Sequence, residues 1–175
     1  MLSQSRKPVC LSLMSFDMPV WSVVETSATL YQKNPEQFHV LLTEPAIHGH
    51  PLETPTPASS ASPASSAVSP SATPPDVPAS PRLLWLEISP YRVTMTMQGN
   101  GHFSYRHFWE QGIYGLNRYW LQGDRMDQTS QIRLRNFTRS LTLTGHEIPE
   151  HLRLEYELWS HHVCLGHYVM NLEIH

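Results

Sequence analysis

Residues 131–160 read Gln131-Ile132-Arg133-Leu134-Arg135-Asn136-Phe137-Thr138-Arg139-Ser140-Leu141-Thr142-Leu143-Thr144-Gly145, then His146-Glu147-Ile148-Pro149-Glu150, then His151-Leu152-Arg153-Leu154-Glu155-Tyr156-Glu157-Leu158-Trp159-Ser160. On the second arm Leu152, Leu154, Tyr156 and Leu158 share one parity, and Arg153, Glu155 and Glu157 the other. Side chains in a strand change face at every residue, so this alternation predicts a half-buried strand. A further strand follows, with Tyr168, Met170, Leu172 and Ile174 on one face. On the first arm Ile132 and Leu134 are even, while Phe137, Leu141 and Leu143 are odd, which predicts a bulge at Arg135-Asn136. Pro149 rules out a helix through His146–His151, and the spacing of the two histidines is one too long for a helical zinc pair. That segment is read as the turn between the arms.

Upstream, Leu84, Leu86 and Ile88 share a parity that switches at Ser89-Pro90 to that of Tyr91, Val93, Met95 and Met97. A bulge or corner within one strand accounts for such a slip. Gly99-Asn100-Gly101 predicts a tight hairpin turn, because Asn-Gly supplies positive backbone angles. Phe103 to Leu121 is read as return strands, and Asp124 to Ser130 as a polar loop. Residues 19–32 are rich in β-branched and aromatic side chains and predict a strand. Asn34-Pro35-Glu36 turns the chain into a second strand at Phe38, Val40 and Leu42.

Pro51 to Pro81 holds nine Pro, eight Ser and six Ala in 31 residues, a composition that cannot feed a sheet ladder or bury a core. It is expected to be a disordered insertion, not a boundary between domains, because the hairpin before it would be marginal alone. The expected organisation is a disordered or mis-assigned N-terminus at 1–18, with Met1, Met14 or Met18 as the start, and a single β domain at 19–175 interrupted at 51–81. The fold class is all-β: a curled antiparallel sheet of about seven or eight strands, closed as a small barrel or packed as a sandwich. No amphipathic helix is available to cover a flat sheet.

The chain has 175 residues and a net charge of −3, which argues against a protein dedicated to coating nucleic acid. The charge is uneven. Residues 90–142 carry seven arginines against Glu110, Asp124 and Asp127, a local +4, while 143–175 is a local −4. Cross-strand pairing would neutralise these runs; a basic patch for an acidic partner is the other reading. Cys10 and Cys164 are too few for a disulfide scaffold. No signal peptide or membrane-length apolar run is evident, so a cytoplasmic location is expected.

Eleven histidines raise the question of a metal. The run His161-His162-Val163-Cys164-Leu165-Gly166-His167 splits its ligands between two strand faces and does not assemble a tetrahedral set. No phosphate loop or nucleophile elbow occurs. No catalytic residue, cofactor or metal is expected. The informative feature is the mixture of aromatic and basic residues over 102–120. Tyr105, Arg106, Trp109, Tyr114, Arg118 and Trp120, with Arg133 and Arg135, are the candidate binding residues. Aromatics and arginine are enriched where proteins dock, so a non-enzymatic docking or assembly module is the leading expectation. A barrel holding a planar apolar or acidic small molecule is the alternative. Stacking of single-stranded nucleic acid comes third.

Overall fold

The computed structural model describes residues 4–19, 21–44, 82–99, 103–122 and 129–175. The alternation at 152–158 is carried through a closed antiparallel barrel. Its strands are β1 (Gln4–Ser15), β2 (Trp21–Asn34), β3 (Gln37–Glu44), β4 (Arg82–Ile88), β5 (Arg92–Gln98), β6 (Phe103–Glu110), β7 (Tyr114–Gln122), β8 (Thr129–Thr144), β9 (His151–Ser160) and β10 (Val163–Ile174). Each strand pairs with the next, and β1 closes on β10. Closure removes the free edges that an open sheet would present to other chains. Among the described residues no helix is long and apolar enough to cross a membrane.

The all-β expectation holds, and of its two expected forms the sheet takes the closed barrel, but among the described residues the strands number ten instead of seven or eight. Two strands account for the difference. Residues 4–15 form β1 instead of lying outside the domain. Val9, Leu11 and Leu13 alternate with Cys10, Ser12 and Met14, and Val9 and Leu13 pair with Ile174 and Met170. Residues 83–98 are two strands, not one bulged strand. Ser89-Pro90-Tyr91 is a complete turn in which Ser89 N–H donates to the Arg92 carbonyl (2.9 Å) and Arg92 N–H to Ser89 Oγ (3.1 Å). A parity switch is common to bulge and turn; the proline and the serine cap select the turn here.

The bulge on β8 lies between Thr138 and Ser140, not at Arg135-Asn136. Asn136 and Thr138 are the inward pair, both fully buried, while Phe137 packs outside on Tyr114, with ring centroids 5.1 Å apart. His161 and His162 form the β9–β10 turn, with His161 at φ 54. The turn at Asn34-Pro35-Glu36 forms as read: Asn34 Oδ1 accepts from Glu36 N–H at 3.1 Å. The expected hairpin tip at Asn100-Gly101, most of the 124–130 loop and the Pro/Ser/Ala insertion lie outside the described residues.

The strand pairings give the barrel two unlike ends. At one end lie the short turns after β2, β4 and β6, the Gly145–Glu150 turn and the C-terminus. The interior of that half is dry and filled. Phe38, Val40, Leu86, Val93, Trp109 and Leu154 are each no more than 5 % exposed. Burying an indole such as Trp109 removes about 150–250 Å² from water, or about 4–6 kcal/mol of transfer free energy. At the opposite end β1, β3, β5, β7 and β9 finish. Beyond the plug, inward positions nearer this second end do not meet across the barrel, and a cavity remains.

Candidate functional site

The cavity occupies about 210 Å³. Its lining comes from inward residues of eight strands, among them Leu13, Leu84, Met95, Tyr105, His107, Tyr156 and Met170. Trp109 lies behind the lining, its ring edge-on to His107 at 5.1 Å and tilted against Tyr156 at 5.3 Å. The β1–β5 side is aliphatic apart from Ser22, and the other polar groups on the wall come from Tyr105 and His107 of β6 and Tyr156 of β9.

Among the described residues six buried side-chain atoms lack a hydrogen-bond partner, and all six lie on β6, β7 or β8: both ring nitrogens of His107, Trp109 Nε1, Asn117 Nδ2, Asn136 Oδ1 and Thr138 Oγ1. Asn136 is otherwise well held. Its Nδ2 donates to the Phe108 carbonyl (2.8 Å) and to Asn117 Oδ1 (2.6 Å). Gly115 makes this contact possible. A Cβ there would lie 2.0 Å from the Phe108 carbonyl oxygen and 2.9 Å from Asn136 Oδ1. Unpaired buried polar groups are costly, and of these six atoms only the two His107 nitrogens belong to a residue that lines the cavity.

His107 is the unpaired group that lines the cavity. Its ring stacks on Tyr105 at 4.7 Å and meets Tyr119 edge-on at 5.1 Å. The sealed nitrogens and apolar surroundings disfavour the imidazolium, and burial pushes its pKa from the ordinary 6.5 down to about 4. At neutral pH it offers one donor and one acceptor. Burial raises the phenols of Tyr119 and Tyr156, so both stay protonated. The inner wall is therefore polar but uncharged.

The eight residues singled out from the sequence divide between the two faces of the sheet. Tyr105 and Trp109 point inward; Tyr105 lines the cavity and Trp109 is fully buried behind the lining. Arg106, Arg118, Trp120 and Arg133 lie on the outer face. Arg106 stands opposite Arg118, and Arg118 opposite Arg133. Tyr114 and Arg135 also lie outside, with the Arg135 guanidinium 5.2 Å from the Tyr114 ring centroid. The outer face thus unites six of the eight, two aromatics and four arginines, while Tyr105 and Trp109 face the interior. His107 was not among the eight, although it shares the odd parity of Tyr105 and Trp109. Of the two charge readings, cross-strand neutralisation applies at Arg139 with Glu157, and Arg92 stands opposite Glu110 in register. It does not apply along the Arg106–Arg118–Arg133 row.

Glu157 is 7 % exposed, although its parity places it on the outer face. Burial pushes its pKa up, but the hydrogen bonds from Arg139 and Trp159 and the nearby charges of Arg139 and His167 outweigh this and hold it below the ordinary carboxylate value. His167 Nδ1 also meets Asp17 Oδ2 at 2.6 Å, which ties the β1–β2 connection to β10.

No protein-family model and no curated protein matches the chain. Among solved structures it is similar to one described as the crystal structure of the ywiB protein from Bacillus subtilis. The TM-score is 0.58 at 12 % identity, covering 99 % of this chain and 95 % of that one. At that identity the likeness bears on the fold alone: the chain shares its architecture with ywiB over nearly the full length of both.

Proposed function

We propose that the protein is a small-molecule-binding barrel that takes a compact, uncharged, largely apolar ring compound into the cavity lined by His107, Tyr105 and Tyr156. The observation that carries this reading is His107, a sealed imidazole with no hydrogen-bond partner on the wall of a 210 Å³ cavity. A dry cavity of about 150 Å³ is enough to hold benzene. By that comparison this one suits roughly six to ten non-hydrogen atoms, and a hydrogen bond to the ligand requires the His107 ring to turn one of its sealed nitrogens toward the cavity. The lining contains no Lys or Arg, which favours an uncharged ligand over a carboxylate. Such sites combine apolar walls with a few placed polar groups. Cys10 and Cys164 are both free thiols, which fits a reducing, cytoplasmic setting.

The test is binding of phenol, indole and benzimidazole, measured by native mass spectrometry and calorimetry. Leu13 lines the cavity and is only partly buried, so Leu13→Trp fills the space with little cost to the barrel. One or more of these compounds binds the wild type at a one-to-one ratio, and binding is lost in Leu13→Trp. Equal binding by the two proteins, or none by the wild type, would refute the proposal.

A further inference from the structure

The outer face of β6–β8 carries a feature that the cavity does not explain. Arg106, Arg118 and Arg133 occupy directly opposed positions on three adjacent strands, and all three are exposed. Strands lie about 4.8 Å apart, so three guanidinium groups are crowded into a row about 10 Å long. Like charges directly opposite one another are unfavourable in a sheet. Arg135, next along β8, adds a fourth. Among the described residues none of these four has a carboxylate within 4.0 Å. Arg133 Nε donates to Gln131 Oε1 (2.8 Å) and Arg135 Nη2 to the His161 carbonyl (2.8 Å). Elsewhere on the barrel arginine finds acid, as at Arg139–Glu157 and Arg153–Glu155.

Acids on and beside these strands are matched elsewhere: Glu155 by Arg153 and Glu157 by Arg139, while Glu110 stands opposite Arg92. Three guanidinium groups over about 10 Å complement a short acidic segment. The barrel is closed, so a partner cannot add a strand and must bind through side chains. Tyr114 and Trp120 lie on the same face and supply the aromatic area that arginine-centred docking surfaces use.

We propose that the Arg106–Arg118–Arg133 row docks a short acidic segment of a partner protein, whose clustered carboxylates replace the missing acids of the β6–β8 face. This site is separate from the cavity, and either can fail without the other. The test uses fluorescein-labelled decaglutamate and a ten-nucleotide oligothymidylate, with wild type and the R106Q/R118Q/R133Q variant compared by fluorescence anisotropy and thermal melting. Decaglutamate binds the wild type and binds the triple variant about tenfold more weakly. The variant's Tm is equal to or higher than the wild type's, because opposed like charges are gone. Should the triple variant fold poorly, Arg118→Gln, at the centre of the row, replaces it, and an about threefold loss is expected. Tighter binding of oligothymidylate, with steep loss in salt, overturns the proposal in favour of nucleic acid. Absent decaglutamate binding, or binding unchanged by the substitutions, overturns it outright.

Discussion

Replacing His107 by phenylalanine should remove a block of acid sensitivity from the barrel. Above pH 6.5 the imidazole is neutral in both folded and unfolded chains, and its ionisation contributes nothing to the pH dependence. As the pH falls below that value the unfolded chain binds a proton that the folded chain refuses until about pH 4. Stability therefore drops across the interval from 6.5 to about 4 and levels off below it. At about 1.4 kcal/mol per pKa unit, the full interval is worth about 3 kcal/mol. For a domain of this size that corresponds to about 6–12 °C in Tm. The assay is urea unfolding followed by circular dichroism at several pH values between about 7 and 4.5, for wild type and His107→Phe. The wild type should lose most of this amount over the range, and the variant should lose correspondingly less. A variant with the same pH slope as the wild type, or an NMR titration that places His107 near 6.5, would refute the burial argument.

Other substitutions test the packing and the outer cluster. Trp109→Ala removes a fully buried indole that packs behind His107 and Tyr156 and should cost about 3–5 kcal/mol, read as a lower urea midpoint. Gly115→Ala drives a methyl into the Phe108 carbonyl and the Asn136 amide; overpacking of this kind costs about 1–3 kcal/mol and should free the Asn136 side-chain amide protons to exchange. Arg139→Met leaves Glu157 with Trp159 as its remaining hydrogen-bond donor. Because Arg139 is half exposed, the expected cost at neutral pH is on the order of 1–2 kcal/mol. The sign with pH follows from the depressed carboxyl. The stabilisation is present above the ordinary value of 4.5 and is lost as the pH falls through the lower folded value. The two proteins should therefore converge in acid, and a gap that widens there would contradict the assignment.

The sheet was legible wherever one face was dry. Leu152, Leu154 and Tyr156 on β9, and Met170, Leu172 and Ile174 on β10, announce their strands by alternation and are buried as that pattern requires. The signal failed where inward residues are polar. Asn136 and Thr138 face the interior, and reading them as outward moved the β8 bulge by several residues. The switch at Ser89-Pro90 carried information about parity but not chain direction, so a turn was taken for a bulge. The candidate site was half legible. Parity alone separates Tyr105, His107 and Trp109 from Arg106, because neighbours in a strand take opposite faces. The opposition of Arg106, Arg118 and Arg133 was not legible, since it depends on the register of three strands and one residue of slip would destroy it. Nor was the cavity, which exists only where side chains from eight separate strands converge.

The cavity is tested most directly by titrating the bound ring compound into protein labelled at its methionine methyl groups and following their NMR shifts. Met95 and Met170 line the cavity, whereas Met14 and Met18 are exposed. Binding inside the barrel moves the Met95 and Met170 methyls by ring-current effects and leaves Met14 and Met18 in place. Shifts confined to Met14 and Met18, or Met95 and Met170 signals unmoved at saturation, would place the ligand elsewhere and contradict the account.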